Sequence, residues 1–82
     1  MRNITIEIGE IIRQRRELLG LLQPQLADIA GISRRSIQLI ENGKANPSLD
    51  TLHKITDALG LAIKLDVKEL NTGTNKPDEL VP

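Results

Sequence analysis

The chain has 82 residues with eleven basic and eleven acidic side chains, so it is one domain of balanced charge, and a second hydrophobic core would not fit. Apolar residues make up 39%, enough for a core, but Phe, Tyr and Trp are absent, which excludes aromatic base-stacking platforms and methyl-lysine cages. Cysteine is also absent, which excludes a disulfide framework and thiolate chemistry; no apolar run approaches the roughly 18 residues of a membrane span, no signal peptide opens the chain, and a cytoplasmic location is expected. The first helix is expected from about Thr5 to Leu19, with Ile8, Ile11, Ile12, Leu18 and Leu19 recurring at helical spacing and Gly20 as the stop. The alternation Ile4-Thr5-Ile6 leaves a short strand open at its start. The second helix is short: Pro24 suits its first position, Leu26, Ile29 and Ala30 form its inner face, and Gly31 ends it. After the turn Gly31-Ile32-Ser33 a third helix begins on Ser33 as N-cap, turns Ile37 and Ile40 inward, and ends at Asn42-Gly43. Asn46-Pro47 breaks the chain, Ser48 caps a fourth helix carrying Leu49, Leu52, Ile55 and Leu59, and Gly60 stops it.

The period then changes from 3.6 to two. Leu61, Ile63, Leu65 and Val67 alternate with Ala62, Lys64, Asp66 and Lys68, the pattern of one amphipathic strand. A lone strand leaves its own backbone N–H and C=O groups unsatisfied. A second copy of the same strand, paired across a homodimer, would satisfy them and bury the four apolar residues. A fifth helix, or pairing with the N-terminal residues near Ile4, are the alternatives. A small aliphatic core also makes association a reasonable expectation. The organisation is thus a domain over residues 1–60, a dimerisation strand over 61–69 and a flexible tail over 70–82. Charge divides unevenly: residues 1–44 carry seven basic and five acidic groups, residues 45–82 four and six, so an anionic partner should meet the N-terminal half.

A short helix, a turn carrying Gly and a second capped helix together make the helix-turn-helix signal. The run from Gly20 to Ile37, then Ile40-Glu41-Asn42-Gly43-Lys44, Asn46-Pro47-Ser48-Leu49 and Thr51-Leu52, resembles the lambda-repressor-like, Cro/xenobiotic-response-element family over about residues 6–60. The strand after the fourth helix is similar in architecture to the HipB type of antitoxin. The resemblance implies a mainly α, lambda-repressor-like fold of four helices, or five, followed by the C-terminal strand. It also implies a double-stranded DNA partner read in the major groove by the second helix of the motif.

The residues support that partner independently. Arg34 and Arg35 fall in the first turn after the Ser33 cap, where two cations oppose the helix dipole and a sequence serving stability alone would place Asp or Glu. Base or phosphate contact would compensate, the alternative being two solvated surface charges; arginine can read guanine O6 and N7 bidentately, worth about 1–3 kcal/mol of discrimination. Gln38, one turn on, lies on the same side and reaches a base edge. Gln23 matches the family's phosphate-binding glutamine at a helix N-terminus that favours an anion. Lys44 and Asn46 in the following loop are phosphate candidates, as is Ser36 unless it simply turns outward; Arg13 and Arg15 add charge at longer range. The family's pairing of an arginine near the end of the first helix with the glutamate of the Glu-Asn-Gly run implies a structural Arg16–Glu41 salt bridge. Two positions depart from the family: Leu22 stands where a capping Thr, Ser or Asn is usual, and Leu39 stands where the family is often polar, to meet a thymine methyl or pack on the loop.

Enzyme chemistry fails on inventory. His53 is the single histidine, Asp50 and Asp57 read as solvated charges, and there is no Gly-rich phosphate loop, so no catalytic residue, metal or cofactor is expected. The expected function is a homodimeric repressor on a palindromic operator, with an autoregulating antitoxin that also binds a toxin protein as the favoured form. The alternatives are a stand-alone phage-type or restriction-control repressor, and a protein-interaction module without DNA binding.

Overall fold

A computed structural model describes residues 3–68. Four helices follow in order: α1 Ile4–Leu18, α2 Gln23–Ala30, α3 Arg34–Glu41 and α4 Leu49–Ala58. α3 packs against both α1 and α2, and α2 also packs against α4. The core between them is entirely aliphatic: Ile12, Leu26, Ala27, Ala30, Ile37, Ile40, Ile55 and Leu59.

Each helix begins where a side chain can replace a missing backbone partner. Ser33 Oγ accepts from the Ser36 amide and Ser48 Oγ from the Thr51 amide, each at 3.1 Å. α1 starts one residue earlier than expected because Asn3 is its cap: Asn3 Oδ1 accepts from the Thr5 amide at 2.9 Å and the Thr5 hydroxyl at 2.8 Å. Ile4-Thr5-Ile6 is therefore helical rather than a strand. α2 also starts one residue early, at Gln23 after the extended Leu22, which puts Pro24 second in the helix and still within the turn that needs no amide proton. Leu22 offers no side-chain cap, and Gln25 supplies half of one by accepting from the Leu22 amide at 2.8 Å.

The turn between α2 and α3 rests on Gly31, whose φ of 71° is open to glycine at no steric cost. Gly43 closes α3 in the same conformation, with its own amide on the Ile40 carbonyl and the Lys44 amide on that of Leu39.

The inner face of α1 is narrower than its apolar spacing indicates. Gly9, Ile12 and Arg16 are its buried residues, while Ile11 is 55% and Leu18 75% exposed and Leu19 is also exposed. Ile29 on α2 and Leu49 on α4 likewise face outward. Thr56 takes an inner position on α4, its hydroxyl donating to the His53 carbonyl at 3.1 Å. Residues 61–68, where a strand paired with a second copy is expected, have no regular secondary structure in the single chain, and residue 69 lies outside the described residues, as does the expected tail over 70–82. A strand exists only through its ladder, and no strand lies beside this segment among the described residues. No fifth helix forms there, and the helical N-terminus rules out pairing with Ile4. No helix among the described residues is long and apolar enough to cross a membrane.

Gly9 is the point where α1 meets α3. A Cβ there would stand 2.9 Å from the Glu41 carbonyl oxygen and closer still to that of Ile40. Both obstacles are backbone, so neither can rotate away. Gly9→Ala should lower unfolding free energy by about 1–3 kcal/mol, because overpacking outweighs the gain of at most about 1 kcal/mol in helix propensity. Urea denaturation checks it; an unchanged midpoint would mean the two helices separate freely.

Candidate nucleic-acid interface

The outer face of α3 is set by what its inner face must bury. Ile37, Ile40 and Glu41 point into the domain, so Arg34, Arg35 and Gln38 are left outside. All three are exposed, and neither arginine makes an ion pair among the described residues. No acidic residue sits in the first turn of α3 to complement the dipole. Ser36 is half-buried and belongs to the cap: its hydroxyl oxygen accepts from the Ser33 hydroxyl at 2.9 Å. Leu39 is also half-buried. Lys44 and Asn46 are exposed in the segment beyond the C-terminus of α3. An eight-residue helix is about 12 Å long, so the arginines and Lys44 stand at its opposite ends.

The orientation of α3 is held at its last residue. Arg16 donates from Nε to Glu41 Oε2 at 2.7 Å and from Nη2 to Oε1 at 2.9 Å, while its Nη1 donates to the Leu21 carbonyl at 2.7 Å. Both side chains are buried, 10% and 1% exposed. The first cause of Arg16's raised pKa is its hydrogen bond to Glu41, and burial pulls the other way. A raised cation contributes stability fully below its unfolded pKa and loses it only as pH rises through the folded one. That window lies far into the alkaline range, so Arg16's contribution is constant around neutral pH.

Gln23 joins the same pair, its Nε2 donating to Glu41 Oε1 at 3.0 Å. The start of α2 is thereby tied to the end of α3, and the amide expected at a phosphate is already engaged on one side. Arg15 is placed differently from its expected long-range role: Nε donates to the Leu59 carbonyl at 2.9 Å, capping α4 with a cation at its negative end. Arg13 remains exposed. Sequence reasoning missed the structural part of Gln23 and the caps made by Asn3, Gln25 and Arg15. Asn3 was findable as an N-cap residue type; the others depend on what lies opposite. Among the described residues no group of His, Asp and Glu could hold a metal ion.

Comparison with known proteins points the same way. A family model described as helix-turn-helix matches residues 12–65. An uncharacterized HTH-type transcriptional regulator of Methanothermobacter thermautotrophicus is 44% identical over 50 residues, covering 61% of this chain and 72% of that protein. The immunity repressor protein of Bacillus phage phi105 is 39% identical over 62 residues, 76% of this chain and 43% of the repressor. Among solved structures, the restriction-modification controller protein C.AhdI of Aeromonas hydrophila superposes with a TM-score of 0.68 at 31% identity, covering 71% of this chain and 88% of the controller.

The ion pair can be broken in two ways that differ in outcome. Glu41→Leu alone strands a buried guanidinium and should cost about 3–5 kcal/mol, whereas Arg16→Met with Glu41→Leu together should recover most of that loss. Chemical denaturation of the three proteins measures it; equal losses in the single and double variants would contradict a charge-pairing role.

Proposed function

The chain belongs to the helix-turn-helix family, and on that premise we propose that it is a repressor that binds double-stranded DNA in a sequence-specific manner. The observation that carries this is the pair Arg34–Arg35, exposed and without an ion pair among the described residues, on the first turn of a helix whose other face is fixed in the core. In this reading α3 enters the major groove N-terminus first, Arg34 and Arg35 take guanine edges, and Gln38 reads a neighbouring base. Gln23 has a second amide proton for a phosphate while the first stays on Glu41. The Ser36 hydroxyl keeps its own proton for the same purpose, and Lys44 and Asn46 grip the backbone beyond the far end of the helix.

The protein acts as a homodimer through Leu61, Ile63, Leu65 and Val67, which sets two recognition helices about 34 Å apart on a palindromic operator. Repression follows from occupying a promoter. The phage immunity repressor and the restriction controller lend support to a stand-alone regulator. An autoregulating antitoxin of the HipB type is the finer alternative; it rests on small size and on the apolar segment after α4, and it requires a toxin partner. A module that binds only protein would have no use for two exposed arginines at a helix N-terminus.

Arg34→Ala and Arg35→Ala should each weaken binding to a duplex selected from random sequences by about 5- to 150-fold, the equivalent of 1–3 kcal/mol, and hold or slightly raise thermal stability, since each removes a cation from the positive end of α3. Lys44→Ala should weaken all duplexes alike and lower the salt slope by about 1. Fluorescence anisotropy at several salt concentrations reads both. Full affinity in both arginine variants would overturn the DNA reading.

A further inference from the structure

The segment after α4 carries more information than its apolar alternation. Residues 62–68 make no backbone–backbone hydrogen bond among the described residues, and the Val67 amide is taken only by the neighbouring Asp66 side chain at 2.8 Å. Residues 61–65, from both alternating rows, line an apolar groove of about 410 Å³ with Ile4, Ile8 and Ile11 of α1. The apolar row Leu61, Ile63, Leu65 and Val67 ends uncovered, with Leu65 97% and Val67 91% exposed. The opposite row is Ala62, Lys64, Asp66, Lys68, in which the sign of charge changes at each step from Lys64.

We infer that residues 61–68 pair antiparallel with the same residues of a second copy about a two-fold axis at Leu65, with Lys64 of each copy facing Asp66 of the other. This rests on the homodimer proposed above and fixes its register. Opposite residues of an antiparallel pair lie on one face, so keeping apolar with apolar requires the axis to pass through a residue rather than between two. Charge then chooses among the residues. An axis at Leu65 sets Ile63 opposite Val67 and makes two Lys64–Asp66 pairs. An axis at Lys64 sets lysine against lysine, and an axis at Asp66 sets aspartate against aspartate and Lys64 against Lys68. An axis at Ile63 makes no charge pair. An axis at Val67 makes two Asp66–Lys68 pairs but keeps only Val67 against Val67 on the apolar row and sets Leu65 against Glu69. The axis at Leu65 keeps Ile63, Leu65 and Val67 against one another and leaves only Leu61, at the end of the ladder, opposite Glu69. At Leu65 the second copy's Val67 also arrives beside Ile63, at the groove that the first copy leaves open. The Asp66 carboxylate has lone pairs for both the Val67 amide and the incoming ammonium.

The chain has no cysteine, so single introduced thiols report the axis without background. Opposite Cα atoms lie about 4.5–5.5 Å apart in such a pair, within disulfide reach. Leu65→Cys should give a covalent dimer on oxidation, while Lys64→Cys and Asp66→Cys should each stay monomeric on a non-reducing gel. In sedimentation equilibrium, Lys64→Asp and Asp66→Lys should each weaken the dimer about tenfold, and the two together should restore it to within about threefold. Cross-linking through residue 64 or 66 would move the axis and overturn the register while keeping the dimer. A dimer indifferent to both charge reversals, without a Leu65→Cys cross-link, would place the interface on another surface. A wild-type chain that stays monomeric would overturn pairing and homodimer together. The arginine variants test DNA binding independently of all three.

Discussion

Everything on the recognition side depends on a buried charge pair at the last residue of α3. Arg16 and Glu41 meet through two hydrogen bonds, and the third arginine donor goes to the Leu21 carbonyl beyond the end of α1. Gln23 adds a fourth bond from the start of α2. Three helices are therefore fixed relative to one another at one point. A dry aliphatic core is tolerant of small rotations, because leucine and isoleucine contacts have no preferred direction. A bidentate guanidinium–carboxylate pair is directional, and it sets which side of α3 faces out. Gly9 adds the distance: without a Cβ, α1 can lie against the carbonyls of Ile40 and Glu41.

The outward face follows from that constraint. With Ile37, Ile40 and Glu41 held inside, Arg34, Arg35 and Gln38 have no other place to go. Two arginines at the positive end of a helix are locally unfavourable, and no acidic side chain in that turn relieves them. In the proposed complex the anionic groove of a duplex would supply the missing counter-charge. Zero net charge makes this a local arrangement rather than a general affinity for polyanions, so binding should depend less steeply on salt than in a basic regulator of similar size.

The punctuation of the fold was legible in the sequence. Ser33 and Ser48 as caps, Gly31 and Gly43 as stops, and the inward Ile37 and Ile40 all follow from residue type and spacing. The Arg16–Glu41 contact came from family resemblance, because nothing in the spacing of two residues 25 apart brings them together. Helical periodicity overstated the core: Ile11, Leu18, Ile29 and Leu49 lie at its edge or outside it, since an apolar stripe does not reveal how wide the opposing surface is. Gly9 makes a close contact with α3 that only the facing backbone reveals. The alternation at 61–68 was legible as a pattern, but a pattern that needs a second strand cannot be completed by one chain.

The most direct test of the account is guanine N7 methylation protection on a duplex selected by the protein. N7 lies in the major groove, where α3 and its arginines are proposed to act. The account predicts two clusters of protected guanines, centred about 10 base pairs apart on one face of the duplex. Tight sequence-specific binding with every guanine N7 still reactive would contradict it.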